Sequence, residues 1–182
     1  MWIIIIITVP AVIFIVMFNR LIQYKMLMQE AWSGIDVQLK RRYDLIPNIV
    51  EAVKGYAGHE RKVLEEVTSI RSTLLDSANA GEKRNLENKL SVGLKSILAL
   101  AEAYPDLKAN QNFLALQQSL VEVEDQLQMA RRYYNGTARN YNTMTGMFPG
   151  NIVAKLFNFN QADFFEIEYA TERKAPDVAF GK

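Results

Sequence analysis

The chain has no cysteine and a single histidine, His59. Without cysteine there is no disulfide framework, no zinc finger, no thiol nucleophile and no residue to carry the lipid of a lipoprotein. His59-Glu60 lacks the second histidine four residues on that a zinc helix needs; Val63 stands there instead. His59 therefore reads as a surface or capping residue. An excess of charge of one sign is also missing. A formal net charge of +1 provides no field to gather nucleic acid. There is no Walker loop, no Gly-x-Ser-x-Gly elbow and no dinucleotide fingerprint. Glu65-Glu66 and Glu122-Glu124-Asp125 read as solvated helix faces. Neither a catalytic residue nor a cofactor, metal or small-molecule substrate is expected.

What the chain does have is an uncharged apolar run from Trp2 to Phe18, with the first charge at Arg20. Extended past Arg20 by Leu21 and Ile22, it approaches the roughly 20 residues that cross a hydrocarbon core. Pro10 is tolerated in a membrane helix. A cleaved signal peptide fits less well. No Lys or Arg precedes the run, it is too long for a signal core, and no small-x-small cleavage site follows. Arg20, Lys25, Lys40, Arg41 and Arg42 all lie after the run. The positive-inside rule then puts the N-terminus outside and the rest in the cytoplasm.

The remainder, roughly 160 residues, is enough for one domain with a real core. No proline interrupts Arg20 to Ile46, so the span and the first soluble helix can form one rod, its cytoplasmic part about 40 Å long at 1.5 Å per residue. Tyr24 sits where an interfacial aromatic belongs; Trp32 is expected to pack. Pro47-Asn48 predicts a helix boundary, because the residue before proline avoids helical angles. A second helix carries Ile49, Val53, Tyr56, Val63, Val67, Ile70 and Leu74 in steps of three and four, with Glu60 in the missing seam position. The same phase runs back through Ile46, Arg42, Leu39 and Ile35. A single kinked helix running to about residue 77 is the rival reading. A third helix is expected from about Glu82 to Tyr104, burying Leu86, Leu90, Leu94, Ile97 and Leu98. The fourth steps without a fault from Phe113 through Leu116, Leu120, Val123, Leu127, Ala130, Tyr134, Thr137 and Tyr141 to Met144. It outruns the first soluble helix by about 15 residues. Either it bends near Gly136 or its end projects.

The fold class is all-α: an N-terminal transmembrane helix followed by an up-and-down antiparallel four-helix bundle with long helices. The expected division is an anchor at 1–23, a bundle at 24–169 and a flexible tail at 170–182. Phe157, Phe159, Phe164, Phe165 and Tyr169 form a short helix or irregular segment covering the bundle.

Polar residues gather in two places. Arg131-Arg132-Tyr133-Tyr134-Asn135, Arg139 and Tyr141-Asn142 turn the fourth seam polar and aromatic, the two Tyr-Asn pairs seven residues apart and so on one face. Arg41-Arg42-Tyr43-Asp44 echoes them. Three readings stay open: a solvated face, a partly buried layer in which arginines pair with Asp36, Asp44 or Glu51, and a docking surface for a partner.

The stretch Ile35-Asp36-Val37-Gln38-Leu39-Lys40-Arg41-Arg42-Tyr43-Asp44-Leu45-Ile46-Pro47-Asn48 resembles the signature of the LemA family of bacterial membrane proteins. Val53-Lys54-Gly55-Tyr56, His59-Glu60, Ala130 to Asn135, Tyr141-Asn142 and Phe157-Asn158-Phe159 with Phe164-Phe165 extend the resemblance over nearly the whole chain. It implies one N-terminal membrane helix, a cytoplasmic four-helix bundle and no established enzymatic activity. It also implies that Asp36, Arg41, Arg42, Asp44, Pro47, Asn48, His59, Arg131, Tyr134 and Asn135 matter. The expected function is a non-enzymatic, membrane-anchored helical scaffold at the bacterial inner membrane. It holds lipid through Trp2–Phe18 and binds itself or a membrane-protein partner. The alternative is an adaptor or regulator of a membrane protease or sensor, docking through the Arg-Tyr-Asn face.

Overall fold

The computed structural model describes residues 2–56, 60–76 and 80–165. His59, Tyr169 and the expected tail at 170–182 lie outside the described residues. Among the described residues six helices occur in the order α1 (Trp2–Lys54), α2 (Arg61–Asp76), α3 (Ala80–Ala101), α4 (Pro105–Lys108), α5 (Gln111–Gly146) and α6 (Gly150–Leu156). No strand occurs among the described residues.

The chain divides into two compact units. One is contiguous, Trp32–Ala130; the other is split, joining Met1–Ala31 with Arg131–Lys182. Two long helices, α1 and α5, each contribute one segment to each unit. The extra length of α5 belongs to the split unit, and α5 continues through Gly136.

Four long helices share the core of the contiguous unit. Ile46, Ile49 and Val53 of α1 meet Leu64, Val67, Ile70 and Leu74 of α2, and Leu90, Leu94 and Ile97 of α3. Phe113 and Leu120 of α5 complete it, with Leu107 from α4. Each such aliphatic side chain stabilises the unit by about 1.5–3 kcal/mol when fully buried. The α2–α3 contact is close at Gly93, where an added Cβ would lie 2.5 Å from a Val67 methyl. Trp32, expected to pack, is exposed.

Pro47 does not end a helix: α1 runs through it to Lys54. A proline inside a helix leaves the carbonyl four residues earlier without its donor. Here that carbonyl belongs to Tyr43, and Arg71 of α2 donates its Nε–H to it at 2.7 Å. The tertiary contact replaces the missing helical bond. The break falls instead after Lys54, at Gly55-Tyr56, so the rival unbroken helix to residue 77 is also not formed. α5 opens on Asn110, whose Oδ1 accepts the N–H groups of Asn112 at 2.9 Å and Phe113 at 3.2 Å, a side-chain N-cap.

In the split unit, Val153 and Ala154 of α6 pack on Leu21 of α1, flanked by Phe14, Met17, Phe18, Met144 and Phe159. The turn between α5 and α6 contains a cis Phe148-Pro149 peptide. Gly150 begins α6 because a Cβ there would fall 2.2 Å from the Met144 carbonyl oxygen. Asn158, with φ of 55°, ends α6 in the left-handed region that asparagine tolerates. The Phe159 N–H then closes back on the Ala154 carbonyl at 2.9 Å, a Schellman-type closure.

Candidate functional site

Two polar centres result, one in each unit. The first is built around Arg42, which is 2% exposed. Its Nη1 donates to Glu87 Oε2 at 2.9 Å; its Nη2 donates to Ser91 Oγ at 2.8 Å and pairs with Glu124 Oε1 at 2.7 Å. The Tyr43 hydroxyl donates to the other Glu87 oxygen. Burial, and next the negative Glu87, raise the Tyr43 hydroxyl well above its ordinary pKa of 10. Arg42 Nε is buried without a hydrogen-bond partner.

Arg42 reaches this position because it occupies the core phase of α1, and Glu87 is the matching buried charge on α3. The arginine therefore pairs across helices, as one of the three readings holds, but with Glu87 and Glu124. Asp36 and Asp44 are exposed, and Glu51 pairs with Lys54 at 3.7 Å on the surface. Glu124, read from sequence as part of a solvated face, is half-buried in the pair. Glu87 had no local signal. A lone glutamate between Leu86 and Leu90 looks like any solvated helical position until the facing arginine is known.

Arg41 and Asp44 lie one step off the core phase and line an open groove of about 610 Å³ between α1 and α5. Leu45, Val123 and Met129 supply its apolar part; Glu122 and Asp125 add negative charge. Asn48 is exposed.

The second centre is a clasp made by α5. Asn142 Nδ2 donates to the Ala162 carbonyl at 2.8 Å, and its Oδ1 accepts the Ala162 N–H at 2.8 Å. Seven residues earlier, Asn135 does the same to Phe165, donating at 3.0 Å and accepting at 2.8 Å. The Tyr134 hydroxyl donates to the Asp163 carbonyl at 2.9 Å, and the Arg131 guanidinium sits 4.6 Å from the Phe165 ring centroid. Two side-chain amides thus read the backbone of residues 162–165 as a neighbouring strand would. Burial raises the Tyr134 and Tyr141 hydroxyls above their ordinary range, for Tyr134 with help from Asp163. Arg132 and Arg139 are exposed. Of the expected face, Arg131, Tyr134, Asn135 and Asn142 come together on the chain's own residues 162–165, and Arg132 and Arg139 do not. The heptad spacing of the two asparagines was visible in the sequence; what they grip was not.

The Phe157-Asn158-Phe159 motif is explained by the same unit. Phe157 lies 4.8 Å from Phe18 and 5.9 Å from Phe14, ring centre to ring centre, and Phe159 lies 6.0 Å from Phe18. Lys25 Nζ sits 5.7 Å from the Phe159 ring centroid. No cluster of His, Asp and Glu suited to a metal is found among the described residues.

Among the described residues these features define an all-helical protein with one helix, near the N-terminus, long and apolar enough to cross a membrane. The LemA family model matches residues 31–180, and the chain belongs to that family. It is similar to Protein LemA of Metamycoplasma hominis, 28% identical over 164 residues, covering 88% of this chain and 72% of that protein. It is also similar to Magnetosome protein MamQ 2 of Paramagnetospirillum magneticum, 23% identical over 160 residues, 74% of this chain and 59% of that protein. Magnetosome protein MamQ of Magnetospirillum gryphiswaldense is 20% identical over 159 residues, 73% of this chain and 58% of that protein. The match thus spans less than two thirds of the MamQ proteins.

Proposed function

We propose that the chain is a non-enzymatic, membrane-anchored helical scaffold. Its contiguous unit is an up-and-down antiparallel four-helix bundle on the cytoplasmic side of a bacterial inner membrane, and it associates with itself or with a protein partner. The observation that carries this reading is α1. Its apolar stretch from Ile5 to Ile13 is exposed, and its later part supplies Ile46, Ile49 and Val53 to the core of the contiguous unit within the same helix. The buried Arg42 and Glu87 pair with each other and the Tyr43 hydroxyl donates to Glu87, an arrangement that supports a structural role for these groups.

The adaptor reading changes its surface. The Arg-Tyr-Asn face is filled by residues 162–165, so an incoming partner uses the α1–α5 groove. Its rim, Arg41 against Asp44, Glu122 and Asp125, favours a basic helical segment. Photocrosslinking of the full-length chain in native membranes tests both readings. A crosslinker at Gln126 or Met129 should trap a second copy or a distinct protein, whereas one at exposed Val92 should not. Monomer alone from every groove position would count against association.

A further inference from the structure

We propose that α6 and the turn before it form a second membrane contact, an interfacial wedge whose outer face lies among lipid headgroups and upper acyl chains. The inference rests on the reading of residues 2–18 as a membrane span.

The inner face of α6 is accounted for: Val153 and Ala154 are buried on Leu21. Its outer face is not. Ile152 and Leu156, four residues apart and so on one side of the helix, are 57% and 65% exposed. Met147 and Phe148 in the preceding turn are 60% and 78% exposed. A soluble surface rarely presents so many large apolar side chains together.

The position of this patch identifies its occupant. Phe157 stacks on both Phe14 and Phe18, which belong to the apolar run itself. The exposed face of α6 is therefore continuous with the end of the span that nears the first charges, Arg20 and Lys25. A surface held at that level meets the boundary between headgroups and acyl chains. Composition agrees. From Asn140 to Ala162 the only charged residue is Lys155, a cation, so immersion desolvates no carboxylate and offers one contact to anionic lipid. Asn151 and Lys155, also four apart, give the short helix a polar edge beside the Ile152–Leu156 stripe.

The absence of cysteine makes the test direct. Single cysteines at Phe148, Ile152 or Leu156 of the full chain are spin-labelled in vesicles of zwitterionic and anionic phospholipid. Reference labels go at Ile13, within the span, and at Val92, exposed on α3. Accessibility to oxygen and to a water-soluble nickel chelate then reports depth. The expected result is that labels at 148, 152 and 156 lie about 5–10 Å below the headgroup level. Ile13 should be deeper and Val92 aqueous. If Ile13 is lipid-immersed while 148, 152 and 156 match Val92, the wedge is overturned and the anchor stands. If the three labels are shielded from both reagents, a protein covers the face and lipid is the wrong occupant. If Ile13 itself is aqueous, the anchor reading fails and takes the wedge with it.

Discussion

A buried arginine holding two carboxylates makes the contiguous unit sensitive to substitution at Arg42. Removing one partner of a buried pair leaves an uncompensated charge, at a cost of about 3–5 kcal/mol. Arg42→Ala should therefore lower the denaturation midpoint of the detergent-solubilised chain by far more than Glu124→Gln. The Glu124 side chain is 36% exposed, and loss of its pair should cost about 1 kcal/mol or less. Replacing Arg42 and Glu87 together by Met and Leu should recover much of the single-variant loss. Tyr43 adds a pH dependence whose sign is fixed. Its folded-state pKa is raised, so the unfolded chain releases the hydroxyl proton first as pH climbs. Its contribution is complete below about pH 10 and is lost above it. Denaturation midpoints measured from about pH 8 to about pH 11 should fall at the alkaline end. Tyr43→Phe should flatten that fall, leaving the smaller part due to Tyr134 and Tyr141.

At the level of elements, the instructive case is α1 at Pro47. Local chemistry argues for a stop, and tertiary chemistry overrides it: a guanidinium from the next helix supplies the donor that proline lacks. A double-mutant cycle isolates this. Arg71→Ala alone should cost about 1–3 kcal/mol, the penalty for a carbonyl left unsatisfied. In a Pro47→Ala background the restored helical N–H bonds that carbonyl, and the same substitution should cost much less. Equal costs in the two backgrounds would mean that Arg71 acts through packing alone. The contrast with α5 shows what sequence can convey. Its seam from Phe113 to Met144 was legible because period and burial coincide; Phe113, Leu120, Val123, Leu127, Tyr134 and Tyr141 are all buried. The Pro47 rescue, the Glu87 partner of Arg42 and the clasp on Ala162 and Phe165 were not legible. Each joins residues 20 or more positions apart, and no local pattern encodes such a pair.

For the molecule as a whole, the proposed topology rests on Arg20, Lys25, Lys40, Arg41 and Arg42, the positive charges that follow the apolar run. Protease added to sealed inside-out vesicles should digest residues beyond the span, while right-side-out vesicles should protect them. The reverse pattern would invert the assignment of compartment and of every partner drawn from it. The division into units bears on how such a chain is made. Residues 32–130 are consecutive, so their core can close while the ribosome is still adding residues beyond 130. The split unit has no such freedom. The apolar segment of α1 leaves the tunnel first, and α6 and Phe159, which pack on it, are translated after α5. During that interval Phe14, Phe18 and Leu21 have no protein cover, so a chain released early would leave these three side chains bare although the core within residues 32–130 had closed.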